Sequence, residues 1–100
     1  MNLTKETQTI KEQVLATGNA TILAEHDHFI IVKWDRRSQK ENPSSEEYTI
    51  EAWMYAKSGM GNNYPYSKKL TEEQALRFCN DPSEGLAFLK DHHPWYKENA

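Results

Sequence analysis

Two short clusters, His26-Asp27-His28 and Asp91-His92-His93, hold all four histidines and offer the most versatile chemistry in the chain, since imidazole can ligate metals, move protons or change charge near neutral pH. A zinc site asks for three or four converging ligands, and histidines two apart converge only on a continuous strand. The first cluster instead sits in a polar turn between apolar runs. The second falls at a helix carboxyl end, where a cation is favoured. Solvated histidines are therefore expected, with no metal and no cofactor.

Other chemistry-bearing residues lead to similar ends. Cys79 follows Ala75-Leu76-Arg77-Phe78 on the apolar side of a short helix, the setting of a small buried hydrophobe rather than an activated nucleophile. The pairs Glu46-Glu47 and Glu72-Glu73 fall in a loop and in a first helical turn, where solvation and the helix dipole account for them. Gly59-Met60-Gly61 follows a strand, yet matches neither phosphate-loop spacing and lies too far from the next helix cap to seat an anion there. No catalytic set emerges, and the expectation is a protein that is not an enzyme.

The strongest signal is aromatic. Tyr48 to Lys57 alternates, with Tyr48, Ile50, Ala52, Met54 and Ala56 on one side and Thr49, Glu51, Trp53, Tyr55 and Lys57 on the other. If the first set faces the core, Trp53 and Tyr55 point outward beside Lys57, with Ile31 and Lys33 expected from a neighbouring strand and Lys68 and Lys69 close by. Rings interleaved with lysines suit the centre of a protein interface. They also suit stacking of unpaired bases with phosphates neutralised by the lysines. A third use is intramolecular, with the Pro94-Trp95-Tyr96 tail folding back over them.

These residues need elements to position them. Leu3, Ile10 and Val14, with Leu15 alongside, form a helical stripe that Gly18 ends. Ala20 to Asp35 reads as a hairpin about the His26–His28 turn, and Tyr48 to Lys57 as a third strand. Between them, 36–47 with Asn42-Pro43-Ser44-Ser45 reads as a flexible loop, and Ser58 to Lys69 as another loop. Thr71 with Gln74 makes a capping box, and Asp81-Pro82 opens a further helix that must stop before Pro94. The expected fold is α+β: a two-layer sandwich, α-β-β-β-α-α, with helices on one face of a three-stranded antiparallel sheet. In element order alone, Leu3 to Cys79 resembles double-stranded RNA-binding domains, where basic residues like Lys68 and Lys69 precede a helix; the dense lysine cluster of that family is missing.

At 100 residues the chain has room for one domain with a modest core. Net charge is −3, divided as −2 over 1–32, +2 over 33–69 and −3 over 70–100, so only the middle is basic. No apolar run spans a bilayer, the start is polar, and one cysteine suits a reducing compartment. The expectation is a cytoplasmic binding or accessory protein with no membrane role, engaging a protein partner or itself as a homodimer. The alternative is weak binding of single-stranded nucleic acid.

Overall fold

The computed structural model describes residues 3–37, 47–57 and 63–93. Helix α1 (Lys5–Ala16) is followed by strands β1 (Ala20–Glu25), β2 (Ile30–Asp35), β3 (Tyr48–Lys57) and β4 (Asn63–Leu70), then by helices α2 (Glu72–Asn80) and α3 (Pro82–His92). The strands form one antiparallel sheet in the order β1-β2-β3-β4. The α+β class stands as expected, and two details change.

First, the sheet has four strands rather than three. The expected loop from Ser58 to Lys69 contains β4, whose Tyr64, Tyr66, Lys68 and Leu70 alternate toward one face. Pro65 and the preceding asparagines hide this alternation in the sequence; an edge strand tolerates the proline because only one side of it is paired. Second, the helices lie on both faces. Ile10 and Val14 of α1 pack on Ile30, Val32 and Trp34, whereas Ala75 and Phe78 of α2 and Leu89 of α3 pack on Phe29, Ile31, Ala52, Met54, Ala56 and Leu70. Strand β2 is thus buried on both sides, which is why Phe29-Ile30-Ile31-Val32 is an unbroken apolar run.

Helix boundaries follow the expected caps. Thr71 and Gln74 bond reciprocally as a capping box, and the Asp81 carboxylate accepts from the Glu84 amide with Pro82 in the first turn. Gly18 has φ +79°, the left-handed conformation that turns the chain from α1 into β1. α3 ends at His92, and His93 is extended before Pro94. The Arg36 amide donates to the Glu47 carbonyl, so pairing of β2 with β3 continues into the expected loop; 38–46 and the Pro94-Trp95-Tyr96 tail lie outside the described residues. Among the described residues no helix is long and apolar enough to cross a membrane.

Candidate functional site

Cross-strand register decides which expected site residues share a surface, because directly paired residues project from the same face. Trp53 pairs with Ile30 on the α1 side, while Lys33 pairs with Ile50 and Ile31 with Ala52 on the α2–α3 side. The expected grouping of Ile31 and Lys33 with Trp53 and Tyr55 is therefore corrected by the register. Ile31 is fully buried beneath α2 and α3. Lys68 and Lys69 likewise part, Lys68 opposite Ala52 and Lys69 opposite Glu51. Lys57 ends β3, its backbone paired with Asn63.

Trp53 and Tyr55 are half-buried against the cluster that α1 builds with β2, where an open face was expected. The Trp53 indole N–H donates to Glu51 Oε1 at 3.1 Å, and its ring lies 6.2 Å from that of Trp34. The reason is that α1 takes the second face of the sheet. Beyond Trp53 the same face turns polar: Arg36 donates to the Thr49 hydroxyl at 3.1 Å, approaches Glu51 at 3.8 Å and stacks over Trp34 at 4.9 Å.

An open aromatic group does exist, on the other face. Tyr48 is 42% exposed, with Lys33 Nζ 4.9 Å and the Arg37 guanidinium 5.4 Å from its ring centroid. Arg37 is held by a two-pronged bond to Asp35, at 3.0 and 2.8 Å. Those bonds lower the Asp35 carboxyl to about 2 and push Arg37 upward. Next to Tyr48 opens a cleft of about 570 Å³. Its lining includes Ile50 and Leu70, which pair across β3 and β4, with Lys33 and Lys69 from the strands and Thr71, Glu72 and Gln74 from the start of α2. The cleft exists because α2 starts beyond Leu70 and leaves the Tyr48 end of the sheet uncovered. Of the expected site residues, Lys33 and Lys69 line it, Lys33 on the face of Tyr48 and Lys69 at a register position opposite Glu51 on the α1 face. Sequence reasoning missed Tyr48 because alternation gives the face of a residue without showing where the covering helix stops.

Two of the histidines, His26 and His93, are packed into the structure, while His28 and His92 are exposed. His26 stacks on Phe29 at 4.7 Å, and burial lowers its pKa from 6.5 despite the nearby Asp27 carboxylate. His93 is buried, bonded through Nε2 to the Tyr64 hydroxyl and edge-on to Tyr66 at 4.8 Å. Burial raises the Cys79 thiol pKa, which disfavours the thiolate. Among the described residues no three His, Cys, Asp or Glu side chains are grouped to hold a metal ion. Comparison with protein families, curated proteins and solved structures found no match.

Proposed function

We propose that this chain is a non-catalytic binding protein that recognises another polypeptide, with the cleft beside Lys33 and Tyr48 as its recognition surface. The observation that carries this is an exposed tyrosine flanked by Lys33 and Arg37 at the mouth of a cleft lined on its strand side by Ile50 and the edge of buried Leu70. Tyrosine and arginine around an apolar recess are the composition of interface centres. Lys33 favours a segment with a carboxylate beside an aliphatic or aromatic anchor, and Glu72 on the helix side disfavours a run of phosphates. Packing of Trp53 and Tyr55 against the α1 cluster takes support from base stacking, which depended on those rings being open.

The test is a fluorescence-anisotropy titration with three labelled probes: a peptide alternating Glu and Leu, its Lys-Leu counterpart and a thymidine oligonucleotide. Saturable binding of the acidic peptide alone, lost in Tyr48→Ala and Lys33→Glu, is the expected result. Tighter, steeply salt-dependent binding of the oligonucleotide would transfer the function to nucleic-acid recognition. Equal binding of all probes, or none, rejects the cleft as a specific site.

A further inference from the structure

Backbone pairing beside the cleft is incomplete at one residue, Tyr48. The Arg36 amide donates to the Glu47 carbonyl at 2.7 Å, and these two residues are next in the register that pairs Asp35 with Tyr48. Backbone groups of successive strand residues point to opposite sides, so Tyr48, one residue on, turns its N–H and C=O away from β2. Asp35, opposite Tyr48, agrees with this: its own amide donates to the Asn19 carbonyl at 2.8 Å, on the β1 side.

On the side that Tyr48 faces, β4 has ended. The last pair of that ladder is Ile50 with Leu70, and its register would set Glu72 opposite Tyr48. Glu72 is instead the first residue of α2. Among the described residues no hydrogen bond reaches the Tyr48 N–H or C=O. A short free strand edge, one donor and one acceptor long, therefore borders the cleft that Tyr48 and Glu72 both line. Such an edge recognises the backbone of another chain.

We propose that this edge takes the free amino terminus of a partner polypeptide, paired antiparallel to β3. Space sets both the orientation and the terminus. Thr71 is still extended and continues from Leu70 into the register position opposite Thr49. A parallel chain would need its next residue there to reach the Tyr48 carbonyl, and the interior of an antiparallel chain would need its preceding residue there. An antiparallel chain that begins opposite Tyr48 needs neither. Its first carbonyl accepts from the Tyr48 amide, and its amine donates to the Tyr48 carbonyl. That amine falls on the Thr49 side, toward the start of α2, where Glu72 lines the cleft and offers a carboxylate. Of the cleft cations, Lys33 belongs to β2, across β3 from this position, and Lys69 sits opposite Glu51. The first side chain of the partner shares the face of Tyr48 and Ile50, which favours an apolar residue.

This inference rests on the reading of the cleft as a polypeptide-recognition surface and names the part of the polypeptide held there. Anisotropy titrations of the full chain test it with one peptide of alternating Leu and Glu, beginning with Leu and labelled at its carboxyl end, with its amine either free or acetylated. The expected result is binding of the free amine at least about tenfold tighter than of the acetylated form. Glu72→Gln, which leaves the Thr71–Gln74 capping box in place, removes most of that preference, with circular dichroism confirming its fold. Amide exchange at Tyr48 slows on saturation with the free-amine peptide. Equal binding of the two forms, a preference unchanged in Glu72→Gln, or a Tyr48 amide that exchanges as before would overturn the proposal. Equal binding that is lost in Tyr48→Ala does so while leaving the cleft standing as a recognition surface, whereas no binding of either form rejects both readings.

Discussion

The two faces of the sheet bury their core by different means. On the α2–α3 face, nine buried residues drawn from two helices, three strands and the β1–β2 turn form one cluster about Phe29 and Phe78. On the α1 face, a single helix supplies Ile10 and Val14 to Ile30, Val32 and Trp34 of one strand, with Trp53 and Tyr55 at the margin. The first face is held by apolar packing from many directions. The second depends more on where α1 is anchored, and that anchor is polar: the Thr4 amide and the Thr7 hydroxyl both donate to the Asp27 carbonyl at 2.9 Å. A cluster shared by many elements couples their stability, so damage to it should spread while damage to the α1 layer stays local.

The largest effect should come from Phe29. Replacing it with Ala opens a cavity at the centre of the broader cluster and should cost about 3 to 5 kcal/mol, with every core amide exchanging faster. Gly85 makes the same point by overpacking: a Cβ there would lie 2.9 Å from the Phe29 ring and 3.0 Å from Phe78 Cβ. Gly85→Val should therefore cost at least about 1 to 3 kcal/mol despite its better helix propensity. Gly85→Val variants as stable as the parent in urea would show that α3 sits more loosely on Phe29 than its packing implies.

Thr7→Val tests the other face and should have a smaller effect. The substitution keeps shape and removes the hydroxyl of a residue that is 2% exposed, at a cost of about 1 to 3 kcal/mol. Exchange should quicken in α1 and the β1–β2 turn while α2 and α3 keep their protection. Uniform loss of protection would break the distinction between the faces. Smaller again is Thr71→Ala, which removes one half of a capping box and should cost about 0.5 to 2 kcal/mol, read as a lower urea midpoint with unchanged slope.

Much of this division was legible in the sequence, though only where local chemistry carries the signal. The caps at Thr71 and Asp81, the left-handed Gly18 and the stop before Pro94 are decided by neighbouring residues, and the structure places them where those residues require. The second covered face was written in Phe29-Ile30-Ile31-Val32, a run too apolar for a strand with one wet side, but alternation in Tyr48–Lys57 pointed to a single buried face. β4 was obscured because Pro65 is read as a breaker unless the strand is known to be an edge. The cleft was not legible, because it depends on how far α2 reaches over Tyr48 and Ile50, a tertiary property that no spacing encodes.

The smallest effect joins the two faces at the β1–β2 turn. His26 leans on Phe29 of one face, and Asp27 beside it anchors α1 on the other. The His26 Nε2 is buried without a hydrogen-bond partner, and burial lowers its pKa from 6.5 against the opposing pull of Asp27. An unfolded chain takes up this proton near pH 6.5, while the folded chain does so only at lower pH. Over that interval the unfolded state binds more protons, so the contribution of neutral His26 is complete above the unfolded pKa and is lost as pH falls through the folded one. His26→Gln should flatten the decline in melting temperature from pH 7.5 to 5.5 without reversing it. Asp35 gives an internal control, since its carboxyl titrates at about 2 and its pairing with Arg37 persists throughout this range. Amide protection, taken relative to intrinsic exchange at the same pH, should fall first at Gly85 and Leu89, behind Phe29, because the ring that must find water is the one covering that side. Parallel pH profiles for parent and His26→Gln would mean that the turn admits water to His26 without disturbing Phe29, and that the two faces do not communicate through it.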